Sequence, residues 1–286
     1  MSWSQRDITA DLGGREPTGP ERQADAKMSA TQPGRRAAST LATQSMDHSV
    51  NEFGQSIGFP LPDWTPPPHP PREPMVGRYC RLEPLQPAIH AAALYEAYAG
   101  NDPGWTYLAY GPFRSFESYR DWMDSVPALD DLLFFAVLAQ GQPVGVASYL
   151  RIVPSAGSIE VGHLNFSAAL EQSAAATEGM YLMMETAFRL GYRRYEWKCD
   201  DLNAASRAAA RRLGFSYEGR FRQATVYKGR NRDTAWYSIL DTEWPTLRRA
   251  FEAWLDPGNF DSAGRQRSRL SDLTRVLSRR PERVDE

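Results

Sequence analysis

The hydrophobic period of the chain changes twice between residues 158 and 200. SIEVGHLNF, at residues 158–166, alternates apolar and polar side chains as a strand does. A helical period then runs from Ala175 to Leu190, and Gly191 is a typical helix stop. YEWKCD, at residues 195–200, is again a strand. Because a strand, a crossover helix and a second strand form a right-handed parallel unit, this joint constrains the fold strongly. The helix face predicted to be buried contains Met180, Met183, Met184, Ala187 and Leu190.

The stretches before this joint predict an antiparallel meander. DLLFFAVLA, PVGVASYLRI and SIEVGHLNF are three strand patterns separated by the short turns QGQ and PSAG. GRYCRLEPL predicts an earlier strand, and two helices follow it, one opened by Pro87 and one capped by Ser115. After the joint, LNAASRAAARRLGF predicts a helix that starts at Asn203 and ends before Gly214. We therefore expect an α/β fold, in the sense of an α+β mixed sheet that is antiparallel first and parallel at the joint.

Composition indicates an ordinary soluble protein. The chain has 286 residues, 42% of them hydrophobic, a formal net charge of −2 and only two cysteines. This balance favours neither a nucleic-acid nor a membrane partner, and no stretch approaches the roughly 18 apolar residues of a membrane span. We predict a cytoplasmic location with reduced thiols. We expect no metal, because the four histidines are scattered without ligand spacing: His48, His69, His90 and His163.

Four segments differ in composition. Residues 1–50 are poor in aromatics and predict a disordered tail, and residues 51–76 hold a proline-rich extended arm whose Trp64 is a candidate anchor. A ligand for an SH3 or WW domain is the alternative for the arm. Residues 77–245 form the main domain, and residues 246–286 a helical extension with a basic amphipathic tail. The tail either docks on the domain through its apolar residues or binds nucleic acid weakly: Leu270, Leu273, Val276 and Leu277.

Five stretches together carry a family resemblance. They are SIEVGHLNF, the ATE helix start, YEWKCDDLNAASRAAARRLGFSYEG, VYKGRNRDTAWYSIL and DTEWP. Over residues 77–245 the chain resembles the GCN5-related N-acetyltransferases (GNAT), in the branch that modifies ribosomal-protein amino termini. The resemblance implies a mixed sheet whose fourth and fifth strands splay apart. It also implies acetyl-coenzyme A as cosubstrate in the gap, and an amine acceptor that is a protein N-terminus or a small molecule.

The same resemblance assigns the loop before the first crossover helix to the coenzyme A pyrophosphate. The family motif Gln/Arg-x-x-Gly-x-Gly/Ala aligns with Glu171–Ala176, so that Ala174 stands at the first glycine. Alanine keeps the side chain small and leaves the backbone N–H donors of the helix start in place. A plain helix start packed on the sheet is the alternative. The residues that the resemblance assigns to coenzyme A here are Leu164, Phe166, Gln172, Ser173, Ala174, Ala175, Ala176 and Thr177.

A second group follows the fifth strand. By resemblance, Asn203 bonds the pantetheine or a water, and Ser206 lies near the leaving thiolate. Many relatives carry a tyrosyl acid where this chain has Ala210. Either Ser206 stabilises the thiolate, or the thiolate, with a solution pKa near 8.5, leaves unprotonated. Arg207 and Arg211, which are four residues apart, are candidates to bind the nucleotide 3′-phosphate. The alternatives are a helix cap for Asn203, a solvent-facing position for Ser206 and a solvated basic face for both arginines.

The proton from the amine acceptor has two candidate bases on one strand. Strict alternation places Glu160 and Gly162 on one face and Val161 and His163 on the other, unless a bulge intervenes. The resemblance favours Glu160 as base through water, with His163 as the rival and solvent as the remaining possibility. A cross-strand ion pair is the structural alternative for Glu160.

The acceptor pocket is predicted in WTYLAYGPF, between the first two helices. Packing is the alternative role for its aromatic residues, Trp105, Tyr107, Tyr110 and Phe113. Cys199 is either an acyl relay or buried filler. The leading function is direct acetyl transfer from acetyl-coenzyme A to a primary amine by a monomer or homodimer. A degenerate coenzyme A sensor or scaffold, and an interaction protein that uses the arm and tail, are the alternatives.

Overall fold

The computed structural model describes residues 48–126 and 131–275. Most of the predicted disordered tail and the end of the basic tail, including Val276 and Leu277, therefore lie outside the described residues. The chain divides into two units, residues 1–62 and 63–286. In the first unit, β1 (Ser49–Val50) pairs with β2 (Ser56–Ile57) in a small antiparallel ribbon.

The second unit is built on one eight-stranded sheet of order β3-β4-β5-β6-β7-β8-β10-β9. Its strands are β3 (Met75–Val76), β4 (Arg81–Pro84), β5 (Leu133–Ala139), β6 (Gln142–Val153), β7 (Ser158–Phe166), β8 (Arg194–Asp200), β9 (Ser216–Tyr227) and β10 (Arg230–Leu240). Its helices are α1 (Pro87–Ala97), α2 (Phe116–Ser125), α3 (Ala174–Arg189), α4 (Ala204–Arg212), α5 (Trp244–Leu255) and α6 (Leu270–Thr274).

The predicted strand–helix–strand joint is present and splayed. β5, β6 and β7 form the antiparallel meander, and β7 pairs with β8 in parallel. That pairing covers only Ser158–Val161 against Arg194–Trp197, and the two strands part beyond it. The mixed α/β fold is confirmed, with a gap where the parallel strands separate.

The sheet is covered on both faces. α1 and α2 pack on one face around Leu94, Tyr119 and Phe134. α3, α4, α5 and α6 pack on the other, and Met183 and Phe251 are buried in that larger core. The methionine face of α3 is buried as predicted, while the helix itself spans Ala174–Arg189.

Local capping explains where the helices begin. Ser115 forms a capping box with Ser118, and the side chains of Ser173 and Asn203 accept backbone N–H groups at the starts of α3 and α4. Gly191 and Gly214 follow the ends of these two helices with φ of 99° and 91°, a region in which glycine is favoured. The sequence signals for these helices were therefore local ones.

Within the second unit, the end segments pack against the rest of the unit. Pro67 and Pro70 are buried, and the Tyr192 hydroxyl donates a hydrogen bond to the Pro68 carbonyl at 3.1 Å. At the other end, Leu270 is fully buried, and the Thr274 hydroxyl donates to the Arg212 carbonyl at 3.1 Å. The described part of the predicted tail therefore docks on the domain.

Candidate active site

A cavity of about 1230 Å³ lies on the α3 side of the sheet, beside the gap between β7 and β8. It is bounded by the start of α3, one side of α4 and the segment 254–266 after α5. Its lining includes the predicted coenzyme residues Phe166, Gln172, Ser173, Ala174, Ala176 and Thr177. It also includes Tyr79, Glu171, Met180, Trp197, Ala205, Ala209, Arg212, Leu213, Trp254, Pro257, Phe260, Asp261, Gly264, Arg265 and Gln266.

The start of α3 presents backbone donors to this cavity. The Ser173 hydroxyl oxygen accepts the Ala176 N–H at 3.0 Å, and the first turn of a helix otherwise leaves N–H groups without intrahelical partners. Only a methyl group stands on Ala174 at the cavity wall. The residue before the cap, Gln172, has φ of 57°, which turns the chain into the helix. Small side chains, free donors and the helix dipole together suit an anion.

Arg212 faces the same cavity from the end of α4. Its two terminal nitrogens donate to the Thr177 hydroxyl oxygen at 3.2 and 3.1 Å, and its guanidinium lies over the Trp254 ring at 5.2 Å. Burial lowers the pKa of this guanidinium. Neither the sequence motif nor the resemblance points to Arg212. Its position in the basic pair Arg211-Arg212 is the feature of the sequence that could have indicated a phosphate-binding role.

β7 carries a bulge at the gap. His163 has φ of 51°, and the pairing of β7 with β6 shifts between Ser148↔Gly162 and Val146↔Asn165. Glu160 pairs with Leu150, which packs against the α1–α2 core, and the ring of His163 contacts Tyr110 and Phe134 in that same layer. The bulge that the prediction allowed for is thus present, and its extra residue resets the alternation so that Glu160 and His163 face the same side of the sheet.

His163 is mostly buried among aromatic rings. Its Nδ1 lies 3.1 Å from the Tyr110 hydroxyl, and its ring stacks on Tyr110 with 5.6 Å between centroids. Burial, helped by the nearby charges of Arg151 and Arg232, lowers the His163 pKa from 6.5 to about 4. The imidazole is therefore neutral at pH 7.

Glu160 is held by cations. Its two carboxylate oxygens accept from the Arg151 guanidinium at 2.7 Å, and the Lys198 ammonium lies 2.9 Å away. Lys198 also pairs with Glu196 at 2.7 Å and lies 3.7 Å above the Trp236 ring. Glu160 is thus an ion-pair partner, as the structural alternative held, but a buried one.

The candidate residues at the start of α4 form hydrogen bonds with neighbouring protein groups and do not line the cavity. Asn203 Oδ1 accepts the Ser206 N–H at 3.0 Å, and Ser206 Oγ accepts the Trp197 indole N–H at 3.0 Å. The Arg207 guanidinium donates to the Asp201 carbonyl at 2.9 Å and pairs with its carboxylate at 3.1 Å. Ala210 is fully buried. Of the described residues assigned to coenzyme A, Leu164, Ala175, Asn203, Ser206 and Arg207 are not part of the cavity lining.

These departures have physical causes. Ala175 is on the inner side of α3 and Leu164 packs against the larger core, so neither side chain reaches the cavity surface. Asn203 is occupied as the helix cap. The Arg207 side chain points toward Asp201 and does not line the cavity. This position does not favour the expected contact of Arg207 with the nucleotide 3′-phosphate.

The predicted acceptor residues divide between core and surface. Trp105 is buried in the α1–α2 core, and Phe113 packs edge-on against it with centroids 5.3 Å apart. The Tyr110 ring lies between the rings of His163 and Trp122, and it stacks on Trp122 with 4.3 Å between ring centroids. The Tyr107 hydroxyl donates to the carbonyl of Leu202 at 3.2 Å, just beyond β8. Tyr110 is therefore the member of this set in contact with a candidate catalytic group.

Both thiols are buried. Burial raises the pKa of Cys80 and of Cys199, which disfavours their thiolates at pH 7. Within residues 48–126 and 131–275, no cluster of three His, Cys, Asp or Glu is placed to hold a metal ion. Nor does any helix in these ranges have the length and apolar character needed to cross a membrane.

Comparisons with known proteins agree with this geometry. The family model for the acetyltransferase (GNAT) domain matches residues 80–216. A GCN5-related N-acetyltransferase from Brucella melitensis is 45% identical with a TM-score of 0.73, over 75% of this chain and 99% of that one. A GNAT-family acetyltransferase from Chromobacterium violaceum is 44% identical with a TM-score of 0.63, over 65% and 94%.

A more distant structure shares the fold alone. The Salmonella typhimurium acetyltransferase that modifies the N-terminal serine of ribosomal protein L7/L12 is 23% identical, with a TM-score of 0.53 over 59% of this chain and 99% of that one. No curated protein sequence matches the chain. Fold and site thus define an acyl transferase that uses a thioester donor. The chain belongs to the GCN5-related N-acetyltransferase family, and it is an acetyl-coenzyme-A-dependent N-acetyltransferase.

Proposed function

We propose that the enzyme moves the acetyl group of acetyl-coenzyme A directly to a primary amine. The observation that carries this proposal is the gap between β7 and β8, which has the large cavity on one side of the sheet and His163 with Tyr110 on the other. When bound, acetyl-coenzyme A supplies the acetyl group as an activated thioester. The start of α3 fits the phosphates, because small side chains and backbone N–H donors are present there. The gap between β7 and β8 fits the pantetheine arm.

His163 is our choice for the base, as a relay rather than a store of the proton: its lowered pKa keeps the imidazole neutral and ready to accept at pH 7, and a proton that it accepts passes on to solvent. An amine with a pKa near 10.4 is protonated at neutral pH and must lose a proton before it attacks a carbonyl carbon. In the tautomer with the proton on Nδ1, the imidazole donates to the Tyr110 oxygen and leaves Nε2 free to accept a proton. Glu160, the base that the resemblance favoured, has both oxygens bonded to cations.

Ser206 is our choice for the thiolate. Its oxygen accepts from the Trp197 indole, and Trp197 lines the cavity, so the hydroxyl lies close to the gap. There its proton, which otherwise bonds the Cys199 sulfur, can be donated to a thiolate. Ala210 supplies no acid, because a buried methyl group occupies the position of the tyrosine in many relatives. Direct transfer is supported by the two buried cysteines, whose raised pKa values disfavour an acyl-cysteine relay.

The acceptor class follows from the surroundings of Tyr110. Aromatic rings from α2 and the preceding loop wall His163, which suits an amine on a short or slender chain, such as a peptide N-terminus or a small primary amine. The test is a panel of amines and of peptides with free or blocked N-termini. Each is incubated with the purified chain and acetyl-coenzyme A, and thiol release and acetylated product are followed by mass spectrometry.

We expect stoichiometric thiol and acetyl-amine with at least one primary amine, and none with N-blocked peptides that lack lysine. Coenzyme binding without any product across the panel would point instead to a coenzyme A sensor. A His163→Gln variant that binds acetyl-coenzyme A normally but forms little product would support the assigned base.

A further inference from the structure

The cavity has a carboxylate where the family motif has Gln or Arg, and its partly buried cation lies on α4 instead. In the family motif, the loop before α3 opens with Gln or Arg, but this chain has Glu171 there, and Glu171 lines the cavity. A carboxylate at this point repels a phosphate, and the dipole of α3 alone offers only a fraction of a charge. Some other group has to balance the two negative charges of a pyrophosphate.

Arg212 is the side chain placed to do this. Its guanidinium is fixed from two sides, by the Thr177 hydroxyl in the first turns of α3 and by the Trp254 ring. Within the described residues, no carboxylate lies within 4.0 Å of it. By contrast, Arg151, Arg194 and Arg248 each pair with a carboxylate. A partly buried arginine without a carboxylate is costly unless an anion accompanies it, because its charge is desolvated without compensation.

The position of this side chain depends on the C-terminal extension. Trp254 lies in the last turn of α5, beyond the matched family domain, and its indole N–H donates to the Gln266 side-chain oxygen at 2.8 Å. The other cation at this wall, Arg265, is paired with Asp261 at 2.8 Å and is largely exposed. The extension therefore shapes the cavity and holds Arg212 in place, while its own arginine is already compensated.

We infer that Arg212, held between Thr177 and Trp254, binds the pyrophosphate of coenzyme A and replaces the basic residue that the α3 loop lacks. This inference rests on the proposed function. It assigns a cofactor contact to the end of α4 and a positioning role to Trp254. Arginine suits the task because its planar fork bonds two phosphate oxygens at once.

The test is a binding titration of the purified full chain by calorimetry, with no acceptor present. The ligands are coenzyme A, dephospho-coenzyme A, which lacks only the 3′-phosphate, and pantetheine, which lacks the pyrophosphate. The variants are Arg212→Gln, which keeps a donor to Thr177 but removes the charge, and Arg212→Lys, which keeps the charge. Arg189→Gln, at an exposed residue that ends α3 and does not line the cavity, is the matched control.

Arg212→Gln is expected to weaken coenzyme A and dephospho-coenzyme A alike, by about 10- to 100-fold, and to leave pantetheine unchanged. Arg212→Lys is expected to keep most of the affinity, and Arg189→Gln all of it. Unchanged affinity of Arg212→Gln would overturn the inference, as would a loss confined to coenzyme A, which indicates the 3′-phosphate, or an equal loss for pantetheine, which indicates a folding role.

If Arg212→Gln does not fold, Arg212→Lys and Thr177→Val decide. The valine variant removes the hydroxyl that holds the guanidinium, so we expect about 3- to 10-fold weaker binding of coenzyme A and of dephospho-coenzyme A. Unchanged affinity for both would overturn the inference. Failure of the unaltered chain to bind coenzyme A overturns the proposed function and the inference together. Binding that ignores Arg212 and Thr177 overturns the inference alone.

Discussion

The His163 imidazole stacks on the ring of Tyr110, and its Nδ1 lies 3.1 Å from the phenolic oxygen. This pair exists because the bulge in β7 turns His163 to the α1–α2 side of the sheet. The tyrosine fixes the ring orientation, and the orientation decides which nitrogen is free. The pair therefore lies on the α1–α2 side of the sheet at the gap between β7 and β8, where we propose that the acceptor amine binds.

Replacement of His163 by Gln is expected to lower kcat/KM by about 10²- to 10⁴-fold, the usual contribution of a general base. The dissociation constant of acetyl-coenzyme A should not change, because His163 lies on the face opposite the cavity. Steady-state kinetics and calorimetry on one preparation check both points.

Glu160→Gln is the comparison for that experiment. We expect it to lower the free energy of unfolding by about 3 kcal/mol, because the buried Lys198 loses a charged partner and so does the exposed Arg151. We expect kcat/KM to change by less than about 10-fold. A folded Glu160→Gln variant as inactive as His163→Gln would restore Glu160 as the base.

Acid should destabilise the fold through His163. The unfolded chain binds a proton on this residue below pH 6.5, whereas the folded protein keeps it neutral down to about pH 4. The stabilisation is thus complete above pH 6.5 and is lost as the pH falls to about 4, an effect of about 3 kcal/mol. Denaturant unfolding from pH 7 to 4 measures it. Parallel curves for the unaltered chain and His163→Gln over this range would contradict the assignment.

A bulky residue at Ala174 should block the phosphate site. Ala174→Phe is expected to raise the dissociation constant of acetyl-coenzyme A by about 10-fold or more, because its ring occupies the space at the helix start while the backbone donors remain. The melting temperature should stay close to that of the unaltered chain. Ala208→Phe, on the exposed side of α4, is the control. Equal affinity of the two variants would place the phosphates elsewhere.

The Glu178 carboxylate ties α3 to the start of the domain. It accepts the backbone N–H groups of Arg78, Tyr79 and Cys80 at 2.6 to 2.8 Å. Glu178→Gln sets an amide donor against these donors, and we expect a loss of about 2–3 kcal/mol in the free energy of unfolding. Glu185→Gln on the same helix breaks only a half-exposed pair with Arg248 and should cost under about 1 kcal/mol. Similar losses in urea unfolding would show that the three bonds matter little.

Sequence signals predicted the fold well where they were local. The caps at Ser115 and Asn203, the stops at Gly191 and Gly214 and the change of hydrophobic period each depend on a few neighbouring residues. The parallel joint followed from the order of elements, whereas the resemblance supplied both its splayed geometry and the cosubstrate.

The parts that sequence reasoning missed depend on distant contacts. The bulge at His163 is set by the register of β7 against β6, and nothing in SIEVGHLNF marks it. Arg207 and Arg212 are both on α4, but only Arg212 faces Trp254 and Thr177. Which arginine meets the cavity is therefore decided by α5 and α3, not by the helix that carries it.

Amide hydrogen exchange of the full chain, with and without saturating acetyl-coenzyme A and with no amine present, tests the location of the cosubstrate most directly. We predict slower exchange in residues 172–178 and 205–213, the two helix segments that line the cavity. Protection confined to other segments, or no protection at saturation, would contradict this site and with it the proposed route through the gap between β7 and β8.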